Sequence, residues 1–293
     1  MRKVTKNERE YPFSKGILAS SLEITGLSLE EIYEIVKEID DELKGKDQIP
    51  SKEIKELVRQ KLLDRGLTEE EKFYRITRQL RYLDKPLLIL IGGGAGVGKS
   101  TLSAELGHKL EITRIIGSDT IREIMRTMIS QGLVPSLYES SFMTDKSVKK
   151  SFIENSLVYG FDQQVSVVSM GVKAVIERGI KEGLNSIING VHIVPGYLDL
   201  QSREDCFVFQ YVLEVPDIYE HQERFITRSQ GSHRDPKRYI DKLNKIREIQ
   251  KYIIKQGKNN GAKIIKNEDI DESIKLIMKD VIHNLEPVVD DGR

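Results

Sequence analysis

Residues 87–100 read LLILIGGGAGVGKS, and they are the strongest indication of the fold in the sequence. Its first five residues form an uninterrupted apolar run, which is typical of a strand buried on both faces of a parallel sheet. The run leads into G-x-x-x-x-G-K-[ST], and Leu102, Leu106 and Leu110 follow at helical spacing. Glycines let backbone amides wrap around a phosphate, and the start of a helix adds partial positive charge. The stretch therefore predicts a phosphate-binding P-loop between a strand and a helix.

The predicted loop supplies the candidate nucleotide-binding residues. Lys99 would reach the outer phosphates of ATP, and the hydroxyl of Ser100 would hold Mg²⁺, so ATP and magnesium are the expected cofactors. The alternative is a glycine-rich turn that binds nothing. The motif indicates a nucleotide but no reaction, because motors, helicases and small-molecule kinases share it. The candidates are Gly93, Gly94, Ala95, Gly96, Val97, Gly98, Lys99, Ser100 and Thr101.

Strand-like runs alternate with helical stretches after Pro86, which predicts an α/β fold with a P-loop NTPase-type parallel sheet covered by helices on both faces. We place a domain boundary at Asp84–Pro86, giving domains of 1–85 and 86–293. The strand candidates are Leu87–Ile91, Ile112–Gly117, Ser186–Asn189, Phe207–Glu214 and Ala262–Ile265.

Residues 1–85 predict a small, mostly helical α+β domain. Short strand-like pieces lie at Lys3–Thr5 and Arg9–Pro12. Helices are predicted to open at two capping boxes, Ser28 to Glu31 and Thr68 to Glu71, and another follows Pro50.

Composition excludes several classes of protein. The 46 Lys and Arg residues balance 46 Asp and Glu residues, so no overall basic field favours nucleic acid or an anionic membrane. The apolar runs are too short to span a bilayer, and the N-terminus lacks a signal core, so we expect a cytoplasmic protein. A lone cysteine, Cys206, excludes an internal disulfide and a thiolate metal cage.

Residues 117–122, GSDTIR, follow the second strand candidate at the edge of the sheet where parallel sheets place their ligands. Asp119 could orient or accept the proton of an acceptor hydroxyl, and Arg122 could grip a carboxylate or phosphate. Alternatively, Ser118 or Asp119 only caps the following helix.

Arginines flank a glycine-containing turn after the strand Phe207–Glu214. Arg224 and Arg228 would share one helix face, with Arg234 beyond the turn, as expected of a lid over a transferring phosphoryl group. A solvated basic face would explain each arginine separately. His192 follows the strand Ser186–Asn189 at the same sheet edge, and is either a substrate contact or a structural histidine. No strong hydrophobic run ends in Asp as it does in helicases, which argues against a motor.

Several segments together resemble the archaeal 2-phosphoglycerate kinases over nearly the whole chain. They are GGGAGVGKS at 92–100, SDTIREIMR at 118–126, GVHIVPG at 190–196, HQERFITR at 221–228 and RYIDKLNKIREIQKYI at 238–253. The resemblance implies transfer of the terminal phosphate of ATP to the free hydroxyl of 2-phosphoglycerate, giving 2,3-bisphosphoglycerate.

The resemblance also implies roles for individual residues. Lys99 and Ser100 would serve ATP and magnesium, and Asp119 and Arg122 the acceptor. Arg224, Arg228 and Arg234 would belong to the lid. Family members often carry an acidic residue where this chain has Asn189, which puts a magnesium or water contact at that position in doubt.

Residues 1–85 resemble an ATP-cone, a nucleotide-sensing module. Lys3, Lys6 and the turn at 11–15 carry this resemblance. It implies a second nucleotide site and allosteric coupling between two sites on one chain. The alternative is a module for packing or dimerisation, through which the chain would form a homo-oligomer.

Two other functions stay open for the whole chain. One is a kinase acting on another small molecule, such as a nucleotide or a sugar. The other is a regulator that binds ATP and switches partners without turnover.

Overall fold

The computed structural model describes residues 2–6, 8–149, 153–200, 202–229 and 235–291, with the backbone alone for residues 228, 229, 290 and 291. The chain divides into two compact units. The first comprises Met1–Leu83, Lys109–Glu111 and Lys275–Arg293, and the second comprises Asp84–His108 and Ile112–Ile274.

The first unit packs helices on a small sheet. Strand β1 (Lys3–Lys6) pairs antiparallel with β2 (Arg9–Pro12) and parallel with β3 (Gln48–Pro50). The third strand was not predicted, because three residues ending in proline carry no periodicity. The helices here are α1 (Lys15–Leu22), α2 (Leu29–Glu42), α3 (Ser51–Asp64) and α4 (Thr68–Gln79). Their apolar stripes form one buried core that includes Leu22, Ile35, Ile39 and Leu62.

One of the two predicted capping boxes is confirmed and the other is wrong. Ser28 caps α2, with its hydroxyl accepting from the Glu31 amide and the Glu31 carboxylate accepting in return. Thr68 is already the first helical residue of α4, preceded by Leu67 with no side-chain cap. Glu71 is buried and pairs with Arg59 at 2.6 Å instead. The ion pair therefore removes the carboxylate that a capping box would require.

The second unit confirms the α/β prediction. Its strands are β4 (Leu87–Gly93), β5 (Arg114–Gly117), β6 (Ser186–Asn189), β7 (Phe207–Glu214) and β8 (Lys263–Lys266). They form a sheet in the order β5-β6-β4-β7-β8 that is parallel throughout. Every residue of β4 is buried, which requires cover on both faces. On one face, Leu88, Leu90 and Ile188 pack with side chains of the helices at Ser118–Met128 and Ser156–Lys181.

The remaining helices connect and follow these strands. They are α5 (Lys99–Lys109), α6 (Ser118–Met128), α7 (Ser156–Lys181), α8 (Ile218–Ser229), α9 (Pro236–Ile240), α10 (Leu243–Asn259) and α11 (Ile270–Asp291). Because all the strands are parallel, the segments that follow β4, β5, β6, β7 and β8 begin at one edge of the sheet. That edge carries the P-loop and the first turn of α6.

The compact units and the predicted domains divide the C-terminal end of the chain differently. From Lys275 onward, α11 belongs to the first unit. Within that unit, Glu286 of α11 pairs with Lys72 at 3.3 Å and Arg75 at 3.6 Å. The domain division at 1–85 and 86–293 stays a prediction.

Among the described residues, no helix combines the length and apolar character needed to cross a membrane.

Candidate active site

The P-loop lies between β4 and α5, and its backbone requires glycine at defined positions. Gly96 and Gly98 have φ values of 81° and 89°, in the left-handed region that other residues rarely adopt. A Cβ on Gly96 would lie 2.5 Å from the Phe225 ring, and one on Gly98 would lie 2.5 Å from the Asn267 side-chain amide. Side chains of distant segments therefore press directly against the loop.

Hydrogen bonds hold several carbonyl groups of the P-loop. His221 Nε2 donates to the Ala95 carbonyl at 2.7 Å. Asn267 Nδ2 donates to the Val97 carbonyl at 2.8 Å, and Lys99 Nζ donates to that of Gly94 at 2.5 Å. With these carbonyls engaged, the loop's amides are available to an anion.

His221 acts as a neutral donor in this arrangement. Its ring is buried and stacks on Phe225 with 5.3 Å between centroids. Burial lowers the pKa of His221, so the neutral ring carries its single proton on Nε2, toward Ala95. The histidine thus joins α8 to the P-loop without adding a charge.

A cavity of about 690 Å³ opens beside the P-loop, within the size range of small-molecule sites. The P-loop and start of α5 form one wall, α8 forms another, and the turn after β8 forms the third. The lining residues are Gly96, Gly98, Lys99, Ser100, Thr101, Glu220, Glu223, Arg224, Thr227, Asn267, Glu268, Asp269 and Ile270.

Arg224 is the predicted lid arginine whose side chain lies among the described atoms. Its guanidinium pairs with Glu220 one turn earlier on α8 and donates to the Asn267 carbonyl. It also donates to the Glu268 carbonyl at 3.3 Å. Arg224 therefore ties α8 to the turn after β8. Arg228 lies in the last turn of α8, and its side chain is outside the described atoms, whereas Arg234 is outside the described residues altogether.

The first turn of α6 occupies the same sheet edge as the P-loop. Gly117 precedes the helix and no side chain caps it, so the capping interpretation of Ser118 and Asp119 is wrong. The buried Ser118 hydroxyl instead lies 3.0 Å from His192 Nδ1. The Asp119 carboxylate is 75% exposed and lies 3.9 Å from the same nitrogen. The hydroxyl is thus held inside while the carboxylate faces solvent.

His192 lies beside the predicted acceptor residues of α6. Its ring is buried, and burial lowers its pKa to about 4. The charge of Asp119 opposes this decrease, while Arg122 and Lys99 add to it. The geometry agrees for two of these groups, since the Asp119 carboxylate lies 3.9 Å from His192 Nδ1, and Arg122 is linked to His192 through the Glu139 carbonyl and Gln164.

The Arg122 guanidinium is mostly buried and donates to the Glu139 carbonyl at 3.0 Å and to the Glu123 carboxylate at 3.0 Å. Its Nε has no partner among the described residues. Asn189 is buried at the end of β6, in register with Ile91 of β4 and Gly117 of β5. The neutral amide of Asn189 therefore lies between β4, which leads into the P-loop, and β5, which leads into α6.

Sequence reasoning missed two residues that hold this region together. Gln164 is a fully buried residue of α7 that contacts His192, with 3.0 Å between Gln164 Oε1 and His192 Nε2. His221 of α8 supports the P-loop. A glutamine within an otherwise apolar helix stripe was the available signal for the first. His221 opens the segment HQERFITR that carries the family resemblance, but no local pattern indicated that it supports the P-loop.

The donor set suits magnesium held largely by a nucleotide. Ser100 supplies a hydroxyl in the cavity wall, and the exposed Asp119 adds a carboxylate at the same sheet edge. The described residues contain no cluster of three or more His, Cys, Asp or Glu side chains that could hold a metal by itself. Magnesium commonly binds through one or two protein groups, with phosphates and water completing its shell. The residues therefore fit Mg²⁺ bound together with phosphates.

The first unit has its own cavity of about 750 Å³. Lys6, Arg9, Lys55 and Arg78 contribute positive charge to it, and none of its described lining residues is Asp or Glu. Burial lowers the pKa of Lys55, and the nearby charges of Lys6 and Arg78 lower it further. Tyr11, Phe13 and Tyr74 add aromatic surface. Such a cavity suits a ligand with an anionic group and a flat apolar group.

Known proteins match both the N-terminal region and the whole chain. Residues 1–82 match the ATP cone domain family. The 2-phosphoglycerate kinase of Thermococcus kodakarensis is 41% identical, over 97% of this chain and 98% of its own. That of Pyrococcus horikoshii is 38% identical over 96% and 94%, and that of Methanopyrus kandleri is 36% identical over 94% and 85%.

Proposed function

The chain belongs to the 2-phosphoglycerate kinase family, and we propose that it transfers the terminal phosphate of ATP to the hydroxyl of 2-phosphoglycerate, giving 2,3-bisphosphoglycerate and ADP. The observation that carries the proposal is that the P-loop, which follows β4, and the first turn of α6, which follows β5, lie at the same edge of the parallel sheet. A phosphate-binding loop and the carboxylate of Asp119, the proposed general base, thus share this edge. The acceptor is inferred from the family.

The nucleotide is assigned to the cavity beside the P-loop. The P-loop amides and Lys99 would hold the phosphates, and Ser100 would hold Mg²⁺, which supplies neutralisation of phosphate charge. The base and ribose would lie toward Asn267 and the turn after β8, where the cavity continues. Arg224 would keep α8 closed against that turn.

The acceptor is assigned to the first turn of α6. Its hydroxyl attacks the terminal phosphorus as the bond to the bridging oxygen of ADP breaks, and Asp119 accepts the hydroxyl proton. Arg122 would pair with the carboxylate or phosphate of the acceptor. Arg228 and Arg234 are proposed lid residues from their sequence positions alone.

The first unit is proposed to bind a regulatory nucleotide. The support is the ATP cone match over residues 1–82 together with the basic cavity. An anion near Lys55 would favour its charged form, which burial and its neighbours disfavour. Equilibrium dialysis should give two ATP per chain, falling to one in Lys55→Gln, with Lys37→Gln on the exposed side of α2 as the control. A stoichiometry of one in the unaltered chain would contradict this assignment.

Phosphorus NMR tests the proposed reaction directly. The protein is mixed with magnesium-ATP and, separately, with 2-phosphoglycerate, 3-phosphoglycerate, glycerate, a nucleoside monophosphate and a hexose. We expect a new phosphomonoester signal and ADP with 2-phosphoglycerate only. A new signal with another acceptor would reassign the substrate. ATP binding without turnover on any acceptor would favour the regulator.

A further inference from the structure

A buried ring of hydrogen bonds lies behind the acceptor residues. It runs from the Ser118 hydroxyl to His192, then to Gln164, to the Glu139 carbonyl, and back to Arg122 of the same helix as Ser118. The successive distances are 3.0 Å, 3.0 Å, 2.9 Å and 3.0 Å. We call these five groups the buried ring. It joins α6, the loop after β6, α7 and the segment that contains Glu139.

The direction of each bond in the ring follows from Gln164. Its amide nitrogen donates to two carbonyls, those of Ser136 at 2.5 Å and Glu139 at 2.9 Å. Its oxygen therefore faces His192 Nε2 and can only accept, so Nε2 must carry the proton. A neutral imidazole has one proton, which leaves Nδ1 as an acceptor for the Ser118 hydroxyl.

Burial maintains this arrangement. His192 and Gln164 are 1% and 0% exposed, and a charged imidazole at this depth would lose most of its hydration. In the neutral imidazole with its proton on Nε2, Nε2 donates to Gln164 Oε1 and Nδ1 accepts from the Ser118 hydroxyl. The bonds to Gln164 therefore require the proton on Nε2, and burial favours the neutral form of His192.

Both ends of the buried ring lie in the first turn of α6. Ser118 and Arg122 are one turn apart, and Asp119 lies between them. That turn has no side-chain cap. Its apolar residue Ile121 packs in the core, and the buried ring supplies hydrogen bonds that tie its polar side chains Ser118 and Arg122 to the rest of the unit. The fit is close, because a Cβ on Gly190 would lie 1.8 Å from the Ser118 hydroxyl oxygen. A shift of His192 or Gln164 would therefore be transmitted to Asp119 and Arg122.

We propose that His192 and Gln164 are positioning residues of the acceptor site, which hold Asp119 and Arg122 in place without touching substrate. The inference rests on the proposed function, because it assigns the first turn of α6 to the acceptor. The P-loop is held separately, by His221 and Asn267. Disruption of the buried ring should therefore affect the acceptor and spare ATP.

Steady-state kinetics of Gln164→Leu in the full chain tests this separation. We expect the KM for 2-phosphoglycerate to rise about 10-fold and kcat to fall about 10-fold, with the KM for ATP within about 2-fold. Ser169→Ala is the matched control, since Ser169 is a buried serine of the same helix whose hydroxyl has no partner among the described residues. Equal rises in both KM values, or no change in either, would overturn the inference.

Two further variants, one with a smaller change and one that removes only part of the ring, keep the test decisive if Gln164→Leu does not fold. Ser118→Ala removes one hydroxyl and should raise only the KM for the acceptor, by about 3-fold. As a carboxylate, the side chain of Gln164→Glu can still accept from His192 Nε2 but cannot donate to the Glu139 carbonyl. This variant should keep the proton of His192 on Nε2 but should still show the raised KM for 2-phosphoglycerate and the lowered kcat. Wild-type kinetics in Gln164→Glu would contradict a role for the link to Arg122.

Nitrogen NMR of the chain labelled at its five histidines gives a readout independent of activity. The signals lost in His192→Gln identify His192. We expect these signals to show a neutral imidazole with its proton on Nε2 at pH 7. A proton on Nδ1 would contradict the hydrogen bonds assigned to the buried ring. If wild type does not phosphorylate 2-phosphoglycerate, the proposed function fails, and these signals still decide whether the buried ring exists.

Discussion

The nucleotide side and the acceptor side of the site are held in different ways. On the nucleotide side, His221 and Asn267 donate to backbone carbonyls of a contiguous loop. On the acceptor side, His192 and Gln164 bind side chains of α6 through a ring that spans four segments. Each side contains a buried histidine whose pKa is lowered by burial. A neutral histidine donates to the backbone of the P-loop in one case and accepts from the Ser118 side chain of α6 in the other.

This difference indicates which side of the site determines substrate specificity. Backbone amides recognise a phosphate in any nucleotide, so the P-loop alone leaves the reaction open. Side chains fixed at the first turn of α6 can distinguish acceptors by charge and shape. The two sides should therefore respond separately to substitution, the nucleotide side through the KM for ATP and the acceptor side through turnover.

The largest expected effect is on the acceptor side. Asp119→Asn keeps the shape of the side chain but cannot accept a proton, so kcat should fall by about 100-fold with ATP affinity nearly unchanged. Stopped assays of ADP formation and calorimetric titration with ATP measure the two quantities. Glu105→Gln, an exposed carboxylate of α5, is the control and should behave as wild type. Unchanged turnover in Asp119→Asn would remove Asp119 from the mechanism.

The pH dependence of the unfolding free energy tests whether His192 is buried in its neutral form. The pKa of His192 falls from an ordinary 6.5 to about 4 on folding, so the folded state binds fewer protons than the unfolded state between these values. Its contribution to stability is present in full above pH 6.5 and is lost as the pH falls toward 4. Asp119, Arg122 and Lys99 are the charged groups acting on the ring.

Urea unfolding at pH 7 and pH 5 measures this contribution. Between these values, wild type should lose about 2 kcal/mol more unfolding free energy than His192→Gln. Because other ionisable groups titrate in both proteins, only the difference between their losses counts. Equal losses would mean that His192 is accessible to protons in the folded state.

The sequence predicted the P-loop and most strands because these features are local. An apolar run, a glycine pattern and a helical stripe adjoin each other at 87–110, and the family resemblance predicted from these and four other segments is confirmed. The buried ring was not predicted, because Gln164 and His192 are 28 residues apart and Ser118 and His192 are 74 apart. Only tertiary packing shows that a polar residue within an apolar stripe has a partner.

Two errors have the same origin. Thr68 and Glu71 have the spacing of a capping box, but Glu71 is buried against Arg59 of α3. Ser118 has the residue type of a helix cap, but its hydroxyl lies against His192. In both cases the polar side chain pairs with a residue distant in sequence, and not with the backbone amide that the local pattern predicted.

A smaller effect is expected from His221 on the nucleotide side. His221→Phe keeps an aromatic ring against Phe225 but removes the donor to the Ala95 carbonyl. The KM for ATP should rise about 10-fold with kcat within about 2-fold. His108→Phe, on the exposed face of α5, controls for the loss of a histidine. A fall in kcat at unchanged KM would mean that the two sides are coupled after all.

The smallest expected effect tests the link between α8 and the turn after β8. Arg224→Lys keeps the charge near Glu220 but loses the forked guanidinium that reaches the Asn267 and Glu268 carbonyls. The cavity wall should loosen and the KM for ATP should rise about 3-fold, with acceptor KM unchanged. Arg178→Lys is matched, since Arg178 pairs with Glu182 at the same helical spacing on exposed α7 surface. If Arg224→Lys instead slows transfer alone, Arg224 acts on the phosphoryl group and belongs to the acceptor side of the comparison.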